Sequence, residues 1–112
     1  MNVFEQLKAQ MRGTPSTELP TDTLVIDVRS PAEFGMGHVE DALNLPVEAI
    51  SPQTVTSVDA LKDKDRTIIL YCASGMRSAY ARTALMQMGY TNVVNGGTAY
   101  ETAQLTRKQL VR

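Results

Sequence analysis

The residues best suited to chemistry are a cysteine and an arginine that lie close together in the chain. Cys72 is the one cysteine of the sequence, and Arg77 follows it after four residues. The thiolate is the nucleophilic form of cysteine, and a nearby cation or helix N-terminus favours that form. The arginine adds a planar set of donors that suits a sulfonate or a phosphate. This spacing predicts a nucleophilic cysteine that acts on an anion; the alternative is that Cys72 is a small buried hydrophobic residue.

The loop after Cys72 is expected to bind an anion through its backbone. A tight loop between a strand and a helix turns successive N–H groups inward, and the helix N-terminus adds partial positive charge. We predict that this helix begins at Ser78. A cation at that end opposes the helix dipole, which favours a functional role for Arg77. Ser74 and Ser78 are candidate hydrogen-bond donors to the bound group or to the loop. The full candidate binding set is Ala73, Ser74, Gly75, Met76, Arg77 and Ser78.

The elements around this loop alternate between apolar strands and amphipathic helices. Predicted strands span residues 24–28, 42–45, 67–71 and 92–94. Ser30-Pro31-Ala32-Glu33 matches a capping box for a short helix. Further helices are predicted over residues 3–11, after Ser51, over 78–88 and over 100–110. Alternation with short connections predicts a doubly wound parallel α/β sheet with helices on both faces. Cys72 would then lie at the carboxyl edge of a central strand, where such sheets bind ligands.

Composition limits the partners and cofactors. A length of 112 residues predicts one domain over the chain, with its core at about residues 20–106. Eleven basic and twelve acidic residues give a net charge of −1, which predicts neither a nucleic-acid nor a membrane partner. One cysteine and one histidine argue against a disulfide framework and a His/Cys metal site. Carboxylate sites for hard cations stay open, but the sequence implies no metal and no organic cofactor.

The sequence also bears on targeting and assembly. No apolar run approaches the ~20 residues of a membrane helix, and the first residues do not form a signal peptide. The sequence predicts a cytoplasmic protein, or a periplasmic one if an export signal has been removed. A monomer is the default expectation.

Several short motifs together resemble the single-domain rhodaneses, which are thiosulfate sulfurtransferases. Within that family the chain is similar to the small bacterial type that includes phage-shock protein E. The motifs are Asp27-Val28-Arg29, Glu33-Phe34, Gly37-His38-Val39, Ala42-Leu43-Asn44-Leu45-Pro46, Tyr71-Cys72, Gly75-Met76-Arg77-Ser78, Met88-Gly89-Tyr90 and Asn95-Gly96-Gly97. Each motif is weak alone, but their order along most of the chain is specific.

The resemblance implies a rhodanese fold and a two-step sulfur transfer. Cys72 would take the outer sulfur of thiosulfate or a similar donor, release sulfite and hold a persulfide. Cyanide or a thiol would then accept that sulfur; with no second cysteine in the chain, the acceptor must be external. Backbone N–H groups of residues 73–77 would surround the persulfide, and Arg77 would orient the donor. Asp27 and Arg29 would support the loop, although a structural ion pair is the simpler interpretation.

Two other functions stay open at this point. The domain could be a persulfide carrier or interaction module that serves a protein partner, and Met36 and Met76 hint at an apolar mouth around Cys72. It could also be a cysteine-dependent phosphatase or arsenate reductase. Those enzymes have a longer loop between cysteine and arginine, and often a histidine where this chain has Tyr71.

Two residues depart from the family pattern or invite a catalytic role. Asp41 stands where relatives often have glycine, and we predict that aspartate tolerates the left-handed backbone of that turn. His38 is the sole histidine. The proposed chemistry needs no general base, so we predict a packing role for His38.

Overall fold

Six strands form two sheets in the computed structural model, which describes residues 19–112. The strands are β1 (Leu24–Asp27), β2 (His38–Val39), β3 (Leu43–Asn44), β4 (Ile68–Cys72), β5 (Val93–Thr98) and β6 (Leu110–Val111). The main sheet has the order β3-β1-β4-β5, and all of its pairings are parallel. The strand that ends at Cys72 therefore lies inside the sheet, with a neighbour on each side.

Four helices connect these strands. They are α1 (Pro31–Met36), α2 (Pro52–Thr56), α3 (Met76–Gln87) and α4 (Ala99–Thr106), with short 3-10 turns at Val47–Ala49 and Asp59–Leu61. Within residues 19–112, none of these helices has the length and apolar character needed to cross a bilayer. The helix predicted over residues 3–11 lies outside the described residues.

The main sheet is covered on both faces, as the sequence predicts. Both β1 and β4 are buried along their whole length, which is typical of strands in a parallel sheet between helices. Ile26 and Leu70 pack with Leu85 of α3 on one face. Val25 and Tyr71 pack with Ala103 of α4 on the other. The prediction of a parallel α/β sheet with helices on both faces is confirmed.

Local sequence explains where the helices begin. Ser30 caps α1 and forms the predicted capping box with Glu33, with Pro31 at the first helical position. The predicted start of α3 at Ser78 is wrong, because the helix already begins at Met76. Gly75 adopts a left-handed conformation (φ 90°) that turns the chain into the helix without a side-chain cap. Arg77 and Ser78 thus lie in the first turn of α3.

The predicted helix over residues 100–110 is wrong at its C-terminal end. Helix α4 stops at Thr106, where Arg107 takes a left-handed conformation (φ 58°). Leu110 and Val111 then form β6, which pairs antiparallel with β2. Backbone pairing with a distant segment overrides local helix propensity here.

The predicted strand over residues 92–94 is too short, since β5 continues to Thr98. The register shifts where Tyr71 pairs with Gly97 while Leu70 pairs with Asn95, so Gly96 is an extra residue in β5. Glycine is required at this bulge, because a Cβ on Gly96 would collide with Thr102 Oγ1 and approach Ile69 Cγ2 to 2.7 Å.

We expect Gly96→Ala to destabilise the protein by about 1–3 kcal/mol, since a packed core resists an added methyl group. Gly35→Ala is the matched control: nothing lies within 4 Å of a Cβ there, and Gly35 lies within α1. That variant should be neutral or gain about 0.5–1 kcal/mol. Urea unfolding of both variants measures the difference, and equal stabilities would contradict the packing argument.

Asp41 and His38 behave as predicted. Asp41 has φ 66°, so the left-handed turn accepts aspartate. The His38 ring stacks on Phe34 with centroids 3.7 Å apart, and its Nδ1 lies 2.9 Å from the Phe34 carbonyl oxygen. These contacts give His38 a packing role between α1 and β2.

Candidate active site

Cys72 is the last residue of β4 and is fully buried. Its side chain belongs to the face of the sheet that α3 covers. The chain leaves β4 through residues 73–75 and enters α3 directly, so the thiol lies at the N-terminus of that helix. This is the strand–loop–helix arrangement that the sequence predicts.

Hydrogen-bonding groups of the loop and of α3 surround the Cys72 sulfur. The Gly75 N–H donates to Sγ at 3.0 Å, and Ser78 Oγ lies 3.4 Å from Sγ. Burial raises the pKa of the Cys72 thiol, but the Ser78 hydroxyl and the N–H groups of Ser78, Ser74 and Gly75 outweigh it. The net effect is that the pKa of Cys72 is lowered below its ordinary value. The thiolate is stabilised without any histidine.

The loop that holds the sulfur is short and largely on the surface. Ala73, Ser74 and Met76 are exposed, while Gly75 is partly buried against β5. A Cβ on Gly75 would lie 3.6 Å from Gly97 Cα, in a backbone conformation that disfavours side chains. The left-handed Gly75 therefore lets the loop pass close to β5 and aim an N–H group at the thiol.

Arg77 contacts the carboxylate of Glu33, which also belongs to the α1 capping box. Its Nη1 and Nη2 donate to Glu33 Oε1 at 2.8 Å and Oε2 at 3.0 Å, so the pair is bidentate. The Arg77 guanidinium, helped by the Ser30 N–H, lowers the pKa of Glu33 to about 2. Glu33 thus remains charged at neutral pH and joins α1 to the first turn of α3.

Ser78 is part of a partly buried network with Asn95, whose role sequence reasoning missed. Ser78 Oγ donates to Asn95 Oδ1 at 2.7 Å. Asn95 Oδ1 also accepts from the Gly97 N–H at 3.0 Å, and Asn95 Nδ2 donates to the Gly75 carbonyl at 2.9 Å. The only trace of Asn95 in the sequence is its place before the two glycines, because its partners come from another element.

Asp27 and Arg29 form an ion pair at the end of β1. The Asp27 carboxylate is fully buried and accepts from Arg29 Nη2 at 2.7 Å and from the Arg29 backbone N–H at 2.8 Å. Arg29 Nη2 also donates to the Gly37 carbonyl at 2.6 Å, and the guanidinium lies 5.5 Å from the Tyr71 ring centroid. These contacts favour the structural interpretation, in which the pair fixes the chain after β1 and the start of β2.

The arrangement as a whole suits a nucleophile with an anionic resting form. Fixed N–H donors face the sulfur, and the helix N-terminus adds partial positive charge. Arg77 adds a cation whose pKa is raised chiefly by Glu33 and also by the Cys72 charge. Such preorganised dipoles stabilise a negative charge without having to reorient. The site can stabilise a thiolate anion.

Comparison with known proteins gives one family and several relatives. The family model of the Rhodanese-like domain matches residues 4–100. The chain is 43% identical over 74 residues to a sulfurtransferase of Allochromatium vinosum, covering 66% of this chain and 64% of that protein. It is 39% identical over 72 residues to thiosulfate sulfurtransferase PspE of Escherichia coli, covering 64% of this chain and 66% of that protein. These matches span just under two thirds of each relative.

The domain also resembles part of a larger protein. A tRNA uridine(34) hydroxylase of Yersinia enterocolitica is 37% identical over 103 residues, which is 86% of this chain but 28% of that protein. Among solved structures, a rhodanese from E. coli with bound anions has a TM-score of 0.68 and 33% identity, covering 80% of this chain and 98% of that one. A possible tyrosine phosphatase from Rhodopseudomonas palustris has a TM-score of 0.66 at 22% identity, covering 81% of this chain and 72% of that one; it shows the fold alone.

Proposed function

Since this chain belongs to the rhodanese-like domain family, we propose that it is a sulfurtransferase that moves sulfane sulfur from thiosulfate or a similar donor to cyanide or a thiol. Cys72 is the proposed catalytic residue and carries the sulfur as a persulfide. The observation that supports this most directly is the hydrogen bonding of the Cys72 sulfur by the Gly75 N–H and Ser78. Such contacts stabilise a sulfur anion at neutral pH.

The proposed reaction has two steps. The Cys72 thiolate attacks the outer sulfur of thiosulfate; a sulfur–sulfur bond forms on Cys72, and the bond to the sulfonate sulfur breaks. The electron pair of that bond leaves with sulfite. Cyanide or an acceptor thiolate then attacks the outer sulfur of the persulfide, and the Cys72 thiolate is regenerated. The backbone N–H groups of residues 73–77, with Ser78, are proposed to hold the persulfide anion.

Access to the sulfur is part of this proposal. Cys72 is fully buried beneath a loop whose residues Ala73 and Ser74 are exposed. A donor can reach Sγ only when this loop moves aside. We therefore propose that residues 73–75, which form the three-residue loop, are displaced when the donor binds.

We expect Arg77→Gln to raise the KM for thiosulfate about 10–100-fold, because a charge-assisted hydrogen bond to an anion contributes about 1.5–3 kcal/mol. The guanidinium has five N–H donors, and the pair with Glu33 leaves others for the donor anion. Arg82→Gln is the matched control, since Arg82 lies on the same helix and donates to the Val93 carbonyl at 2.7 Å. Steady-state kinetics measure the effect, and equal KM values for both variants would exclude Arg77 from donor binding.

A second candidate function is a persulfide carrier that delivers sulfur to a protein. Met36 and Met76 are each 78% exposed, and they provide apolar surface on α1 and at the start of α3. Trapping of mixed disulfides through Cys72 would distinguish the two: one dominant protein adduct favours the carrier, and rapid turnover with small thiols favours the enzyme.

The intact mass of the protein after treatment with thiosulfate tests the proposal. A gain of one sulfur atom, reversed by cyanide, is the expected result, with sulfate in place of thiosulfate as the control. No gain with thiosulfate or with an alternative sulfane donor, together with hydrolysis of an aryl phosphate, would overturn it in favour of a phosphatase.

A further inference from the structure

Asn95 connects three parts of the site that the sequence keeps apart. Its side chain contacts the Gly75 carbonyl in the loop, the Ser78 hydroxyl in α3 and the Gly97 N–H in β5. Asn95 pairs with Leu70 in the sheet, two residues before Cys72. Alternate residues of a strand share a face, so the register places Asn95 on the same face of the sheet as Cys72.

The orientation of the Asn95 amide is fixed by its partners. The Gly75 carbonyl requires a donor and the Gly97 N–H requires an acceptor, so Nδ2 faces Gly75 and Oδ1 faces Gly97. Oδ1 is consequently also the atom that faces Ser78. In the thiol form, the Ser78 proton goes to Asn95 Oδ1, and Ser78 Oγ can accept from the Cys72 S–H.

Ionisation of Cys72 changes where the Ser78 proton is best placed. The thiolate is a stronger acceptor than an amide oxygen, so the hydroxyl turns from Asn95 to the sulfur. Asn95 Oδ1 keeps the Gly97 N–H, so no buried acceptor is left without a partner. Asn95 Nδ2 meanwhile still donates to the Gly75 carbonyl, which also accepts from the Ala79 N–H, and so holds the residue whose own N–H donates to the sulfur at 3.0 Å.

We propose that Asn95 is a positioning residue: it holds Gly75 so that the Gly75 N–H donates to the sulfur of Cys72, and in the thiol form it holds the Ser78 hydroxyl beside the sulfur, from where it turns to donate when Cys72 becomes anionic. This deepens the proposed function, since the same two donors would hold the persulfide. Asn95 acts through these neighbours and needs no contact with the substrate.

The pH profile of Cys72 alkylation by iodoacetamide tests this role independently of sulfur transfer. Asn95→Ala should shift the midpoint of the profile to higher pH by about one unit, with alkylation about tenfold slower below the midpoint. Misalignment of the Gly75 N–H, which donates to a charged sulfur, outweighs loss of one neutral competitor for the Ser78 proton, because hydrogen bonds to charged groups contribute more than neutral ones. Asn95→Ser, which cannot reach both Gly75 and Ser78, is measured in parallel in case the alanine variant folds poorly, and the same direction of shift is expected.

Asn92→Ala is the matched control. Asn92 immediately precedes β5 and donates to the Asp65 carbonyl at 2.7 Å, so it makes a similar amide contact away from Cys72. Its alkylation profile should equal that of the wild type. An unchanged or downward midpoint in both Asn95 variants would overturn the proposal. If the wild type gains sulfur but the alkylation profiles of the Asn95 variants are unshifted, the role of Asn95 alone is refuted. If the profiles of the Asn95 variants are shifted but the wild type gains no sulfur, only the proposed function is refuted.

Discussion

Replacing Cys72 with serine is expected to abolish the gain of a sulfur atom from thiosulfate. A serine hydroxyl is not ionised near neutral pH and cannot form a persulfide, whereas the pKa of the Cys72 thiol is lowered by Ser78 and by the loop N–H groups despite its burial. No second cysteine exists in the chain to take the sulfur. Intact mass after exposure to thiosulfate measures the effect directly.

The same substitution should leave the fold in place. Serine is close in shape to cysteine, and its hydroxyl can accept from the Gly75 N–H and pair with Ser78, the groups that now contact Sγ. We expect the free energy of unfolding to fall by about 0.5–3 kcal/mol, and thermal unfolding measures this change. Sulfur gain by Cys72→Ser at the wild-type rate would show that the sulfur is carried elsewhere, and would contradict the role of Cys72.

Asp27→Asn is expected to cost about 3–5 kcal/mol of stability, because it leaves the Arg29 guanidinium without its counter-charge in a largely buried setting. Asp27 is fully buried, and the Arg29 side chain is 13% exposed. Both carboxylate oxygens of Asp27 accept hydrogen bonds from Arg29. In asparagine an NH₂ group replaces one of these oxygens, so its N–H donors would face the N–H donors of Arg29. Denaturant unfolding gives the free energy.

Asp59→Asn provides the matched control for this prediction. Asp59 pairs with Lys62 at 3.0 Å, but their side chains are 92% and 69% exposed. Such surface pairs contribute at most about 1 kcal/mol. Similar losses for Asp27→Asn and Asp59→Asn would mean that burial of the Asp27–Arg29 pair has little weight in the fold.

Local patterns in the sequence were sufficient wherever neighbouring residues decide the outcome. The α1 capping box depends on Ser30 and Glu33, which are three residues apart, and both ends of it are present in the structure. The buried strands β1 and β4 follow from runs of apolar residues, and Asp41 adopts the left-handed turn that its side chain tolerates. The position of Cys72 at the edge of β4 follows from the same patterns.

The contacts of the site depended on residues far apart in the chain. Arg77 and Glu33 are 44 positions apart, and Ser78 and Asn95 are 17 apart, so no local spacing could connect them. Asn95 directly precedes the bulge at Gly96, and the positions of both residues result from the pairing of β4 with β5. The early end of α4 likewise follows from pairing of Leu110 and Val111 with β2.

The sequence by itself determined the parallel α/β class and the strand–loop–helix position of Cys72, because periodicity, caps and turn residues act over a few positions. Only the tertiary structure decided which distant residues position the groups around the sulfur. The hydrogen bonds of Asn95 and the Arg77–Glu33 ion pair form only after the sheet brings together segments that are distant in the chain. Their donor and acceptor atoms then lie within about 3 Å of one another.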